Sequence, residues 1–170
     1  LCKNKYTRSM CMIDVGEKIR YIRETYDVKG NELADILNIS KSSISHYEKN
    51  DRDVPLRNLV KISNYFDLSL DYILNLTDIK RYEDLKKPVD LKITSERIKQ
   101  ICLDQKWTNV KMAKILNTTE SNIRKYKTGQ TLILTAFALE LASKYNYSLD
   151  WLTGRTENKF IKKDTYQKSR

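Results

Sequence analysis

The sequence predicts an all-α protein organised as two similar, tandem five-helix modules. Three observations carry this reading. Apolar residues recur at three- and four-residue intervals along most of the chain, as one buried helix face requires. Helix-breaking residues are scarce, with 4 Gly and 2 Pro among 170 residues. The pattern of the first half also returns in the second without a gap.

The first module reads in order. Ile19 and Ile22 lie three apart within GEKIRYIRETY and mark a first helix. After Gly30, NELADILN puts Leu33, Ile36 and Leu37 on one face of a second helix. Asn38-Ile39 breaks the pattern, and Ser40 is placed to cap a third helix through its hydroxyl. KNDRDVP, ending in Pro55, is a turn-rich loop. Leu56, Leu59, Ile62 and Phe66 define a fourth helix. Asp67-Leu68 ends it, and Ser69 can cap a last short helix, LDYILNL.

The same order recurs 79 residues later: Ile98 and Ile101 answer Ile19 and Ile22, and AKILN at 113–117 answers ADILN at 34–38. Ser121, Ile123 and Tyr126 answer Ser42, Ile44 and Tyr47, and SLDWLTGRTE at 148–157 answers SLDYILNLTD at 69–78. Identity at apolar and cap positions, with variation at exposed ones, is what a duplicated packing scheme produces. The reading divides the chain into a flexible N-terminal arm (1–12), a first module (13–78), a linker (79–91), a second module (92–157) and a basic C-terminal tail (158–170). In the linker, Pro88 stops any helix, and Ile79, Tyr82 and Leu85 can form one short amphipathic turn.

Composition narrows the function. The net charge of +10 is unevenly spread: 16–78 carries −2, whereas 92–157 carries +5 and 158–170 carries +4. Such a balance suits a polyanionic partner, although solvated basic surfaces also occur on proteins without one. Three scattered cysteines (Cys2, Cys11, Cys102) and one histidine supply no zinc-ligand set and no disulfide framework. Cys102 is expected to pack as a small apolar residue. No apolar run is long enough to span a membrane, and the polar N-terminus lacks a signal core. A cytoplasmic setting is therefore expected, with no cofactor and no small-molecule ligand implied. Catalysis is disfavoured, because His46 has no nucleophile–base constellation near it in sequence and no phosphate-cradling glycine loop exists.

The most informative stretch is SKSSISHYE, Ser40–Glu48. Ile44 and Tyr47 can anchor a helix to a core, leaving Lys41, Ser42, Ser45 and His46 outward. That row is short and rich in donors, which suits base edges in a DNA major groove. An isolated stretch of this kind is ordinarily a solvated helix face; the repeat around it changes the balance. Its counterpart is TESNIRKYK at 119–127.

Each half resembles the five-helix Xre/Cro/CI-type helix-turn-helix domain of phage and bacterial repressors, the lambda repressor-like fold. The resemblance is carried by ELADILNISKSSISHYEKNDRDVPLRNLVKISNYFDLSLDYIL in the first half and more weakly by Lys92–Glu157 in the second. It implies a sequence-specific, double-stranded DNA-binding regulator of transcription, a repressor of phage or mobile-element type, with the third helix of each module in the major groove. By the same resemblance Lys41, Ser42, Ser45 and His46 become base-contact candidates, matched by Glu120, Ser121, Arg124 and Lys125. Gly30 (through its backbone N–H), Arg52, Asn109 and Lys127 become phosphate-contact candidates, although Lys125 and Lys127 also suit plain solvated charge.

The departures are informative. Gly30 and Asn109 stand where the family often carries glutamine, Leu134 stands opposite Pro55, and Lys127 opposite Glu48. Since the two reading faces differ, one chain would favour an asymmetric site, and a homodimer would restore a palindrome. The rival reading is an antitoxin or adaptor module that keeps one helix-turn-helix for docking or dimerisation, and the acidic balance of 16–78 favours it.

Overall fold

The structure, a computed structural model, describes residues 14–81 and 88–162. The arm over 1–12, the part of the linker containing Tyr82 and Leu85, and the far end of the tail lie outside the described residues. Within them the chain forms α1 (Val15–Thr25), α2 (Gly30–Leu37), α3 (Lys41–Glu48), α4 (Leu56–Phe66) and α5 (Leu70–Ile73). The second set is α6 (Leu91–Asp104), α7 (Asn109–Ile115), α8 (Glu120–Lys127), α9 (Thr135–Tyr145) and α10 (Leu149–Leu152). The fold is all-α: no strand forms among the described residues, and one isolated antiparallel bridge joins Tyr147 to Phe160. No helix there is long and apolar enough to cross a membrane.

Helix starts follow from local side chains. The first N–H groups of a helix lack intrahelical partners, and a cap oxygen satisfies one of them. Ser40 accepts from Ser43 N (3.2 Å), Ser69 from Tyr72 N (3.0 Å), Thr119 from Asn122 N (3.2 Å) and Ser148 from Trp151 N (3.1 Å). Helix ends are equally regular. Residues with positive φ fall at Asp27, Asn38, Asn50, Asp67 and Asn75, and again 79 residues on at Lys106, Asn117, Gly129, Asn146 and Gly154. Asn, Asp and Gly bear left-handed geometry at low steric cost, so most of these positions have the residues they need. The duplication thus extends to individual backbone turns.

The chain divides into two compact units, Leu1–Arg52 and Asp53–Arg170. The division falls inside the first repeat, so α4 and α5 belong to the second unit.

In the first unit α1, α2 and α3 bury Ile19, Ile22, Leu33, Ala34, Leu37, Ile44 and Tyr47. Ile36, which the apolar spacing assigns to that face, is only half-buried. At 100° per residue Leu33, Ala34 and Leu37 share a narrow arc, and Ile36 sits roughly 100° from its centre. The start of α1 is clamped to the end of α3. Gly16 N donates to Asn50 Oδ1 (2.9 Å), Asn50 Nδ2 donates to Asp14 Oδ1, and a β-carbon on Gly16 would lie 2.1 Å from the carbonyl oxygen of Tyr47. Only glycine permits that approach.

In the second unit Leu59, Ile62, Leu70, Ile73, Ile98, Ile101, Met112, Ile123, Leu141 and Trp151 form the buried core. Cys102 packs with its sulfur 3.3 Å from that of Met112, and burial pushes its thiol above the ordinary range. The tail does not leave at once: Lys159 O accepts from Ser148 N (3.0 Å), Ile161 is buried, and Phe160 stacks on Tyr147 at 5.5 Å.

A reciprocal seam joins α5 to α10. Asp150 accepts from Leu70 N and Asp71 N, both at 3.1 Å. Asp71 accepts in return from Leu149 N (2.8 Å) and Ser148 Oγ (2.6 Å). Asp150 thus meets two N–H groups at the start of α5, and Asp71 one N–H and the cap hydroxyl at the start of α10, a favourable placement for negative charge. Both aspartates are fully buried, as is Arg155, whose guanidinium lies 3.3 Å from Asp150 and donates to Asn64 Oδ1 at 3.0 Å.

Candidate nucleic-acid interface

The candidate residues lie on α2–α3 and its following loop in the first unit, and on α7–α8 in the second. Their presentation begins with the two anchors. Ile44 and Tyr47 on α3, and Ile123 and Tyr126 on α8, point inward and are buried. A helix pinned along one side by i, i+3 anchors must turn its i−2, i+1 and i+2 positions outward.

On α3, Lys41 and Ser42 are exposed at the N-terminus, while Ser45 and His46 are half-buried one turn later. The Ser42 hydroxyl lies 2.9 Å from that of the cap Ser40. His46 Nδ1 is 3.3 Å from Asp51 Oδ2, so the loop carboxylate orients the imidazole. Arg52, at the end of this unit, is exposed, and its N–H donates to His46 O. Gly30 opens α2, where Lys29 supplies no side-chain cap and a β-carbon on Gly30 would meet nothing within 4 Å. A side chain at the start of α2 would therefore meet open space.

On α8, Ser121, Arg124 and Lys125 are exposed and Glu120 is half-buried. Arg124 and Glu120 are one turn apart, with Nη2 to Oε2 at 3.5 Å. Asn109 and Lys127, 18 residues apart in sequence, meet directly: Lys127 Nζ donates to Asn109 Oδ1 at 2.9 Å. The pair links the start of α7 to the end of α8. Lys127 is half-buried there rather than lying freely in solvent.

Sequence reasoning missed the residues that fix these helices from behind. Arg23 on α1 reaches Glu48 at the end of α3 through Nε (2.6 Å) and Nη2 (3.2 Å), and its Nη1 donates to Val28 O (2.9 Å). The two side chains are only 15% and 14% exposed, so this bidentate pair is shielded from the screening that weakens surface ion pairs. Glu48 correspondingly holds the Arg23 guanidinium above its ordinary pKa. The signal was present in the exchange at the equivalent positions: Cys102 replaces Arg23, and Lys127 replaces Glu48. With no guanidinium at 102, an acid at 127 would be left without its partner; the lysine there turns to Asn109 instead.

Comparison with known proteins agrees with this architecture. A family model described as helix-turn-helix matches twice, over residues 19–73 and 98–152, which span α1–α5 and α6–α10 from their first buried isoleucine onward. The uncharacterized HTH-type transcriptional regulator YobD of Bacillus subtilis is 37% identical over 62 residues, covering 36% of this chain and 55% of YobD. The HTH-type transcriptional regulator ImmR of the same organism is 29% identical over 91 residues, 52% of this chain and 68% of ImmR. A putative HTH-type transcriptional regulatory protein of Pyrococcus horikoshii is 26% identical over 144 residues, 85% of this chain but 39% of that protein. No solved structure gives a significant match. With two matched copies spanning well over half its length, the chain belongs to the helix-turn-helix family HTH_3, of Xre type, and carries the domain twice in tandem.

Proposed function

We propose that this protein is a sequence-specific double-stranded DNA-binding regulator of transcription, acting as a repressor of phage or mobile-element type by occupying a promoter. One observation carries the reading. Two capped helices, α3 and α8, each pinned by a buried Ile-x-x-Tyr pair, turn a row of polar side chains outward within helix-turn-helix domains. The regulatory names of YobD and ImmR support the same class.

In this reading α3 and α8 enter the major groove with their N-terminal residues at base edges. Lys41 or Arg124 pairs with guanine O6 and N7, Glu120 accepts from a cytosine N4, and Ser42, Ser45, His46, Ser121 and Lys125 complete the two faces. Arg52, the first N–H groups of α2 at Gly30, and the Asn109–Lys127 pair take phosphates. Fixing Lys127 against Asn109 before binding lowers the ordering cost of that contact.

The decisive experiment is selection of bound fragments from random DNA, followed by titration of the enriched site. The K41A/S42A variant is expected to lose its preference for that site while retaining its helical circular dichroism. Binding should also weaken by about 0.9 log units per log unit of salt for each phosphate neutralised. Unchanged site preference in K41A/S42A removes α3 from the reading role. No enriched motif, together with a stoichiometric protein partner on purification, favours the adaptor reading instead.

A further inference from the structure

We infer that α5 and α10 form a dedicated intramolecular interface, in which Arg155 makes the pairing specific for unlike repeats, so that the chain closes on itself as a monomer. The geometry of the seam is reciprocal. Asp71 receives hydrogen bonds from the start of α10, and Asp150 receives them from the start of α5. Surface i touching j while j' touches i' is the signature of a two-fold, self-complementary contact, the kind that joins identical subunits. Here both sides are supplied by one chain.

Two features break the symmetry. Arg155 corresponds to Leu76 in the first repeat, and its hydrogen-bond acceptor Asn64 corresponds to Ser143 in the second. Ser143 is committed elsewhere, donating to Leu139 O in its own helix at 2.8 Å. A seam between two first repeats would bury two carboxylates with leucine in place of the guanidinium. A seam between two second repeats would bury two guanidinium groups, each without the Asn64 amide oxygen. Only the unlike pairing supplies carboxylates, guanidinium and amide together.

Asp71 faces Ser148 and the N–H of Leu149; Asp150 faces Arg155 and the N–H groups of Leu70 and Asp71. Arg155 also feels Asp71 and, further off, Asp67, which is paired with Arg81. Burying an ion without its partner is strongly destabilising, whereas the matched set is tolerated. Because both surfaces lie on one chain, pairing in cis meets a far higher effective concentration than a second molecule provides.

The test uses the full chain without DNA. Light scattering is expected to return the monomer mass of 20.1 kDa across micromolar concentrations. R155L should lower the melting temperature by roughly 10 °C and make the mass depend on concentration, because the seam then holds two carboxylates without their cation. Adding D71N should recover much of that loss, since asparagine keeps the acceptor for Leu149 N and removes one charge. A concentration-independent dimer of the wild-type chain would overturn the inference. So would an R155L variant that remains as stable and monomeric as the parent, or a loss in R155L that D71N leaves untouched, which would mean that Arg155 acts by packing alone.

Discussion

The ends of α3 and α8 are the same piece of backbone with opposite chemistry. Both helices run eight residues, both begin from a hydroxyl cap, and both are anchored by isoleucine and tyrosine. The first closes on a buried ion pair, Arg23–Glu48; the second carries Cys102 and Lys127, with the lysine turned to Asn109. The first arrangement consumes its charge internally and stiffens the unit. The second leaves a net positive end, with Arg124, Lys125 and Lys127 all in the last turn. A duplicated scaffold can therefore keep one geometry while moving one copy toward rigidity and the other toward an anion.

The largest effect is expected where the copies differ in backbone approach. Ser95 occupies in the second repeat the position of Gly16, so a side chain is tolerated there. G16A should destabilise the first unit by about 3 kcal/mol, because its methyl group has no room beside Tyr47 O. S95A should cost well under that. Thermal denaturation of both variants checks the contrast, and equal losses would erase it.

Next comes the exchange of the locks. E48K alone sets two cations together in a half-buried site and should cost about 2 kcal/mol. The double variant R23C/E48K, which copies the second repeat, should be more stable than the sum of its single variants, as coupled neighbours are. Additive losses in a double-mutant cycle would show that the two sites are not interchangeable.

The smallest expected change is on the DNA side. K127A should reduce affinity for the selected site uniformly across sequences and lower the salt slope by about one phosphate, with little change in stability. Altered sequence preference instead of altered slope would assign Lys127 to base reading.

Much of the fold was legible from sequence because its determinants are local. The caps Ser40 and Ser69 precede their helices directly, and the breaks at Asn38 and Asp67 are residues that tolerate the left-handed turns found there. The buried anchors of α3 and α8 followed from spacing alone. What escaped was non-local. Arg23 and Glu48 are 25 residues apart, and Leu149 and Asp71 are 78 apart. No periodicity links such pairs, and an aspartate in a short terminal helix reads as solvent-facing until its partner is seen. The meeting of Asn109 with Lys127 was hidden for the same reason, although both residues had been singled out separately.

The Asp71–Asp150 seam has a consequence for how such a protein can change over generations. In an assembly of identical subunits every substitution at a two-fold contact is made twice, so a new arginine must be accommodated by two acids and two amides at once. Once both surfaces are encoded in one gene, each can vary alone. Arg155 against Asn64 uses that freedom: a reciprocal contact in which one side holds a lock and the other its separate key.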